Sequence, residues 1–191
     1  MPYYNSTLPE RGYDPDKARF YLKKAGMENL KLELAAANGI WAGAVDACTL
    51  YSSQAAKAGI TIVPKTVPDD GFWDNVWMKV PWCTATWSGR PTEDWMFSEA
   101  YAAGSTWNDT YWKNDRFNEL LKSARAELDH DKRRSMYWEM QSIVRDDGGA
   151  LIPLFANYVM GYSAKLSHPD VVAGNWEFDG YKLLERWWYN T

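Results

Sequence analysis

Hydrophobic residues recur at helical spacing in several parts of the chain, and each stretch has its own start and stop signals. The first helix is predicted to begin after Asp14, because its carboxylate can accept from free N–H groups and Pro15 suits the first helical position. It is predicted to end at Gly26. Two further helices are predicted back to back, joined at residues 129–131. Their apolar faces are Phe117, Leu120, Leu121, Ala124 and Leu128 in one, and Met136, Tyr137, Met140, Ile143 and Val144 in the other.

A strand, a helix and a second strand are predicted to follow one another closely. Residues 30–36 and 60–67 have the apolar and β-branched character of strands. The helix between them ends at Gly59, and its apolar positions are Ala44, Cys48, Tyr51, Ala55 and Ala58. Because strands joined through a helix pair in parallel with a right-handed crossover, the pattern predicts a βαβ unit with short joints.

Weaker patterns predict the remaining elements. A short aromatic helix is expected after Asp69-Asp70, and a third strand over residues 80–87. Thr92 is a candidate cap for another short helix. Residues 151–160 are predicted to form a strand, and residues 181–189 a final apolar-aromatic strand.

Composition is typical of a globular protein, with a surplus of aromatic residues. Of 191 residues, 46% are hydrophobic and 24% are charged, a balance that favours a folded core over disorder. The net charge of -4 argues against non-specific binding to nucleic acid or anionic lipid, which needs a basic surface. The 12 Trp and 12 Tyr exceed what one core of this size needs, so some of them are expected to line a recognition surface.

The sequence lacks the motifs of common catalytic and cofactor sites. It contains no P-loop, dinucleotide fingerprint, nucleophile elbow or HExxH, and its 2 His leave little for a metal centre. Cys48 and Cys83 fall on a predicted helix face and inside a predicted strand, so both are expected to be small core residues rather than reactive thiols. We therefore expect no cofactor and no bound metal. The acidic residues Asp129, Asp131, Asp146 and Asp147 are expected to cap helices or to be hydrated.

The opening of the chain carries no targeting signal. Its first 15 residues contain no apolar stretch, and no later apolar run approaches the length that spans a membrane. By itself this pattern is typical of a cytoplasmic protein. It is equally the pattern of a piece of a larger protein whose front is missing.

The segment from Trp82 to Arg90 is the strongest candidate for a binding site, because it lies at the end of a predicted parallel strand. Ligands of open α/β sheets bind outside such strand ends. Trp87 offers a flat apolar wall, Ser88 a hydroxyl and main-chain donors, and Arg90 a planar fork that suits a carboxylate. From these residues alone, a surface turn with a core Trp and an incidental Arg is an equally good interpretation.

Four segments together have the order and spacing of one known protein family. They are Tyr13-Asp14-Pro15-Asp16-Lys17-Ala18 with Leu22, Ala25 and Gly26; Gln54 to Ile60 (QAAKAGI); Trp87-Ser88-Gly89-Arg90-Pro91; and a tail with Asn108, Trp112, Asn114, Phe117, Leu120-Leu121, Arg133-Arg134, Tyr137, Gln141 and Ile152-Pro153-Leu154. In these segments the chain resembles the C-terminal half of the family 5 extracellular solute-binding proteins, the peptide-, dipeptide- and nickel-binding receptors of ABC importers.

The resemblance implies a fold and a function that composition does not reveal. The implied fold is α/β, the C-terminal lobe of a type II periplasmic-binding-protein fold, with a mainly parallel sheet flanked by helices. Members of the family are periplasmic or lipid-anchored proteins of two lobes that close around a solute and deliver it to permease subunits. The implied activity is binding and transport, not catalysis. The implied partners are a small-molecule or peptide-like solute, the ABC permease and an N-terminal lobe that is missing here.

The same resemblance divides the chain into three parts. Residues 1–13 are expected to be a lead-in near the hinge, residues 14–161 the solute-binding lobe, and residues 162–191 a segment that crosses back to the missing lobe. Without that lobe, Trp187, Trp188 and Tyr189 are expected to leave an apolar patch that favours self-association.

The sequence departs from the family at one informative position. The resemblance implies an Asp shortly after the Trp of the third segment, where peptide receptors pair it with the amino terminus of the peptide, but the matching residue here is Arg90. Because a cation repels an ammonium group, we expect a solute that presents a carboxylate or another anionic group to Arg90.

Further candidate ligand-binding residues are predicted around this segment, each beside a purely structural role. Trp87 is expected to contact the solute or to support the loop. Thr92 and Asp94 lie at a helix start, where capping is the alternative. Asn108 lies in an irregular aromatic segment, where an Asx-turn is as good an interpretation. Trp41, after the first strand, is a candidate cleft wall.

Two other classes of function compete with solute binding. An aromatic-rich carbohydrate-binding module would use tryptophan platforms, but such modules are usually all-β. A fragment of a glycoside hydrolase would need paired carboxylates, such as Asp94 with Glu93 or Glu99. Acids at the start of a helix are better explained by capping and by the helix dipole.

Overall fold

The computed structural model describes residues 1–190, and these form two compact units. The first, here called the α/β unit, is Pro9–Trp87. The second, here called the helical unit, combines Met1–Leu8 with the chain from Ser88 onward. This division follows contacts within the chain, and the predicted three-part division by resemblance stays a prediction.

The α/β unit contains the predicted βαβ arrangement. Its first helix is capped as predicted, since Asp14 Oδ1 accepts from the Lys17 N–H at 2.8 Å and Gly26 follows with a φ of +68°. Strands β1 and β2 are parallel, in register from Lys31 opposite Thr61 to Ala36 opposite Thr66. The elements in order are α1 (Pro15–Lys24), β1 (Lys31–Ala36), α2 (Ala44–Ala56), β2 (Thr61–Thr66) and α3 (Phe72–Asn75).

Strand β1 separates two small hydrophobic clusters because its side chains alternate between the faces of the sheet. Leu34 and Ala36 are buried with Cys48 and Ile62 against α2. Ala35 lies in the other cluster, with Ala37, Ile40, Phe72 and Val76. Burial of Cys48 confirms its predicted place in the core.

The predicted third strand over residues 80–87 is wrong beyond a single bridge. Ala35 pairs in parallel with Cys83, its N–H donating to the Trp82 carbonyl at 3.1 Å and its carbonyl accepting from the Thr84 N–H at 2.9 Å. Strand β1 ends at Ala36, where the chain turns away. Residues 85–87 therefore have no strand to pair with, and they continue as irregular chain.

The helical unit contains the two predicted helices, each begun by a side-chain cap. Asn114 accepts from the Phe117 N–H at 3.0 Å, and Asp129 accepts from the N–H groups of Asp131 and Lys132. Leu128 was expected on the apolar face but is 85% exposed, because its helix ends at Ala126. The elements here are α4 (Glu93–Met96), a π-helical turn (Phe97–Tyr101), α5 (Asp115–Ala126) and α6 (His130–Asp147).

The core of the helical unit is built on aromatic and long apolar side chains from the π-helical turn, α5 and α6. Phe97 packs edge-to-face on Phe117 with ring centroids 5.3 Å apart, and it stacks on Tyr137 at 6.2 Å. The buried residues of this cluster are Phe97, Phe117, Leu120, Leu121, Ala124, Tyr137 and Met140. The faces of α5 and α6 that the sequence pattern predicted are therefore those that form the core.

The C-terminal part differs from the sequence-based prediction. Residues 151–160 have no regular structure, and within residues 181–189 a short helix (Leu183–Arg186) precedes a strand of only two residues. In this second segment the cause is local, because the buried carboxylate of Asp179 accepts from the Ala173 N–H, Arg186 and Trp187 and holds the chain in a turn. The elements are β3 (Leu166–Ser167), α7 (Glu177–Tyr181), α8 (Leu183–Arg186) and β4 (Trp188–Tyr189), with β3 antiparallel to β4.

Within α7 the backbone is left-handed at Phe178, Asp179 and Gly180, a conformation that L-residues adopt reluctantly. Nearby, Trp188 and Tyr189 are 51% and 71% exposed. The self-association expected from this apolar surface stays a prediction.

Replacing Phe117 with Ala should destabilise the helical unit strongly. The side chain is fully buried, so its loss leaves a cavity that typically lowers the free energy of unfolding by about 3–5 kcal/mol. Urea unfolding followed by tryptophan fluorescence measures the change. The matched control is Leu128→Ala, which removes an 85% exposed side chain and should change stability by less than about 0.5 kcal/mol. Equal effects of the two changes would contradict the assigned core.

Candidate functional site

Arg90 lies at the centre of the loop that precedes α4, and its guanidinium is engaged by the chain itself. Its Nε donates to Glu99 Oε2 at 2.6 Å. Its Nη1 donates to the main-chain carbonyls of Ser88 at 2.9 Å and Gly89 at 3.3 Å. The Arg90 side chain is 12% exposed and that of Glu99 is 30% exposed, so the ion pair is partly shielded from water. Arg90 therefore stabilises the fold of its own loop, and its charge is paired with Glu99.

Glu99, on the π-helical turn, is held by two donors. Trp95 Nε1 donates to its Oε1 at 2.6 Å, while Arg90 holds the other oxygen. The Arg90 guanidinium also lies 5.9 Å from the centroid of the Trp95 ring. Burial tends to raise the pKa of Glu99, but the hydrogen bonds from Trp95 and Arg90, with the charge of Arg90, lower that pKa overall. The result is an ionised carboxylate locked to a cation beside an aromatic ring.

This ion pair bears on the prediction that Arg90 binds a carboxylate. From the sequence, the guanidinium of Arg90 is predicted to bind a carboxylate of the solute. In the structure Glu99 supplies the carboxylate. A solute anion at Arg90 would share or displace an existing partner, and the solute-binding role of Arg90 stays a prediction.

Gly89 is required by the packing of the same loop. A Cβ atom at this position would lie 2.5 Å from the carbonyl oxygen of Asn175, closer than real Cβ atoms approach backbone. The loop therefore runs directly against residue 175, and only glycine fits.

Thr92 and Asp94 are occupied by structural contacts. Thr92 Oγ1 accepts from the Trp95 N–H at 3.3 Å, which confirms its predicted role as the cap of α4. Asp94 accepts from Arg125 Nε at 2.8 and 3.1 Å, and from the Tyr137 hydroxyl at 3.2 Å. Asp94 therefore ties α4 to α5 and α6, a role that accounts for its carboxylate without catalysis.

Asn108 is buried rather than presented to a ligand. It is 4% exposed, and its Nδ2 donates to the Trp112 carbonyl at 2.7 Å, with longer contacts to the carbonyls of Tyr101 and Ala102. Its Oδ1 accepts from Thr110 Oγ1 at 3.2 Å. In the structure the amide holds the irregular segment together, and contact of Asn108 with a solute stays a prediction.

The remaining candidates are divided between the two units. Trp41 and Trp87 belong to the α/β unit, whereas Ser88 belongs to the helical unit. Trp41 is half-buried and packs on the cluster that contains Phe72, as a supporting residue of the strand end would. Trp87 is half-buried and lies in a segment without regular structure, and Ser88 is exposed. Solute contacts by these three residues stay predictions.

Glu99, the residue that most changes the loop, is predicted from the sequence only as a possible catalytic acid. It lies four residues after Trp95, the spacing at which side chains on a helix meet. That spacing was a usable signal for the Trp95 contact. No pattern linked Glu99 to Arg90, because the loop and the π-helical turn between them follow no fixed period.

Among residues 1–190, no group of three or more His, Cys, Asp or Glu side chains is placed to hold a metal ion. Within the same residues, no helix combines the length and the apolar character needed to cross a membrane.

Comparison with known proteins gives the family. The profile of the bacterial extracellular solute-binding proteins, family 5 (middle region), matches residues 1–109, more than half of the chain. The chain belongs to this family. The match covers the whole α/β unit and the loop and helix that contain Arg90 and Glu99.

Individual family 5 relatives match at low identity. Di/tripeptide-binding protein 4 of Pseudomonas aeruginosa is 26% identical over 163 residues, covering 79% of this chain. The periplasmic binding protein DppA of Helicobacter pylori, solved with the peptide STSA, has a TM-score of 0.64 at 21% identity over 77% of the chain. NikZ of Campylobacter jejuni, solved with Ni(L-His), has a TM-score of 0.63 at 19% identity over 73%.

These structural likenesses show the fold. The predicted α/β class and the type II periplasmic-binding-protein architecture are confirmed, and the all-β expectation of a carbohydrate-binding module does not fit the observed helices. The chain spans about 30% of the length of the relatives it matches, 30% of the Pseudomonas protein and 32% of NikZ.

Stability should depend on pH through Glu99. Its pKa lies below the ordinary value of 4.5, so its pairing stabilises the folded state above that value, and the contribution is lost as pH falls through the lowered pKa. We expect the wild-type protein to lose stability more steeply between about pH 5 and about pH 3 than a Glu99→Gln variant. Urea unfolding at a series of pH values measures both slopes.

The matched control for that experiment is Glu119→Gln. Glu119 is a surface partner of Arg116 whose side chain is 69% exposed, so its replacement should leave the steep loss of stability in place. Identical pH profiles for wild type and Glu99→Gln would contradict the pairing of Glu99 with Arg90.

Proposed function

We propose that this chain is part of the solute-binding component of an ABC importer that takes up a peptide or a peptide-like solute. The observation that carries the proposal is the family 5 match over residues 1–109. Relatives that share this family include a protein named for di- and tripeptides and one solved with a bound peptide. The parent protein would act outside the cytoplasmic membrane, in the periplasm.

The proposed mechanism is capture and release without bond making. In a receptor with the length of the relatives, two lobes would close around the solute, and binding would shift the population towards the closed form. Permease subunits would then receive the solute from that form. Because each lobe holds part of the solute, this chain by itself should bind solute much more weakly than the longer protein that carries it.

The charges of the Arg90 loop support a proposal for the solute class. Arg90 and Glu99 together are neutral, so the loop presents neither a free anion for the ammonium group of a peptide nor an uncompensated cation. We propose that a solute carboxylate binds at Arg90 in competition with Glu99. The guanidinium would then exchange one carboxylate for another, and the affinity would depend on the strength of the internal pair.

Opposite changes at the two members of this pair test the proposal. In the protein that carries this chain, Arg90→Ala should weaken binding of a carboxylate-bearing solute at least about tenfold, because a buried Arg–carboxylate pair loses its cation. Glu99→Gln should strengthen the same binding severalfold, since the internal competitor becomes neutral. Isothermal calorimetry with dipeptides and with their C-terminal amides measures both effects.

Controls separate this proposal from a general loss of structure. Glu119→Gln removes an exposed acid of the same unit and should leave the affinity unchanged. If Arg90→Ala and Glu99→Gln weaken binding equally, and of acids and amides alike, the pair supports the loop and does not contact solute. If no di- or tripeptide binds the unaltered protein in calorimetry or a thermal-shift screen, the peptide class itself is wrong.

A further inference from the structure

The first residues of the chain lie on the helical unit and are held largely through their main chain. The Tyr3 N–H donates to Glu93 Oε1 at 2.8 Å. Gln141 Nε2 donates to the Tyr3 carbonyl at 2.7 Å, and Gln141 Oε1 accepts from the Asn5 N–H at 2.9 Å. The Gln141 amide therefore binds the chain on both sides of Tyr4, as a peptide group of a neighbouring strand would. The Tyr4 side chain itself is 68% exposed.

One aromatic side chain fixes the position of this segment. The Tyr3 ring stacks on Tyr137 with centroids 5.2 Å apart and planes at 6°. Its hydroxyl lies 3.1 Å from His130 Nδ1. Asn5 is 6% exposed, and its Oδ1 accepts from the Thr7 N–H at 3.0 Å, so its side chain organises the segment itself. Tyr3 is therefore the side chain that the helical unit contacts most specifically.

The surface under the segment contains a buried carboxylate, that of Glu93, which needs an N–H donor. Glu93 is only 8% exposed. Within residues 1–190, the Tyr3 N–H is the one hydrogen-bond donor that the structure gives to the Glu93 carboxylate, which can accept several. A buried carboxylate without donors is strongly unfavourable, so this surface favours a peptide chain above it.

The segment that meets this requirement buries few of its own side chains. Met1–Leu8 contains turns but no helix or strand, and Met1, Pro2, Tyr4, Ser6 and Thr7 are exposed. Segments with few buried side chains open locally far more often than the fold around them. The site under the segment, in contrast, is built on α4 and on the middle of α6, which the aromatic core holds in place.

We propose that Met1–Leu8 is a detachable strap and that Glu93, Tyr137 and Gln141 form a docking site for a peptide segment, which the strap occupies in this structure. Glu93 and Gln141 bind main-chain groups of the occupant, and Tyr137 selects an aromatic side chain. Main-chain bonds that give affinity and one side-chain contact that sets position are a recognised mode of peptide binding. The proposal does not rest on the solute proposed above.

A peptide with the sequence of the strap tests the proposal when it is added to the whole chain. The probe is fluorescein-labelled MPYYNSTL with an amidated C-terminus, and its binding is followed by fluorescence anisotropy. In the wild type the tethered strap competes at a high effective concentration, so binding should be weak. In Tyr3→Ala/Asn5→Pro the strap lacks its stacking ring and the N–H that Gln141 accepts, so the peptide should bind at least about tenfold more tightly.

Changes in the docking site complete the test. Adding Gln141→Leu to the strap variant should abolish the gain, whereas adding Ser142→Ala should not, because Ser142 bonds the Trp138 carbonyl of its own helix. Equal peptide affinity for wild type and strap variant would overturn the proposal. So would a peptide with Ala in place of its first Tyr that binds as tightly as the original.

Amide exchange on the unaltered chain gives a second measurement that needs no variant. The Tyr3 and Asn5 amides should be protected, and an excess of unlabelled peptide should speed their exchange at least several-fold while amides in the middle of α6 stay unchanged. Protection that does not change in saturating peptide would show a fixed strap and overturn the proposal.

Discussion

The position of Phe97 determines the arrangement of the loop and helix that carry the candidate site. Its ring packs on Phe117 and Tyr137, so it fastens the π-helical turn to α5 and α6. Glu99 lies two residues further along this turn and Glu93 begins the helix before it. The Arg90 loop and the Glu93 surface therefore both depend on the packing of one aromatic ring. An apolar core here fixes polar groups that lie outside it.

Three acids of the helical unit are each paired with an arginine of the same unit. Glu99 is paired with Arg90, Asp94 with Arg125, and Asp179 with Arg186. Each pair joins segments distant enough that the ion pair constrains the path of the chain. Such pairing gives geometric definition more than net stability, because removing ions from water offsets much of their attraction.

Local signals made a large part of this fold predictable. Asp14 and Asp129 cap the helices that their positions predicted, and the parallel pairing of β1 with β2 follows from the short joints of the βαβ unit. The predictions failed where the partner lay elsewhere. Residues 80–87 have strand character, but they pair with β1 only at Cys83, and β1 ends at Ala36. The apolar pattern of residues 181–189 was overridden by the buried carboxylate of Asp179.

The position of the candidate site in the chain could be predicted from the sequence, but the partners of its polar side chains could not. The segment from Trp87 to Arg90 and the cap Thr92 could be recognised from spacing and from family resemblance. The partner of Arg90 could not, because Glu99 is reached through a loop and an irregular turn, and a guanidinium in a sequence carries no mark of which carboxylate it meets. The burial of Asn108 was equally hidden, since it depends on three carbonyls of an irregular segment.

The π-helical turn at Phe97–Tyr101 has a consequence for how this region tolerates changes of length. Such a turn contains one residue more than an ordinary helical turn. The extra residue is accommodated within the turn, where the Ala102 N–H donates to the Phe97 carbonyl at 2.9 Å. Deleting one residue from this turn would restore α-helical winding and leave the following chain on nearly the same path, whereas deleting one from the middle of α5 would rotate each following side chain by about 100° around the axis. The turn is therefore a place where this region can absorb a change of one residue in length.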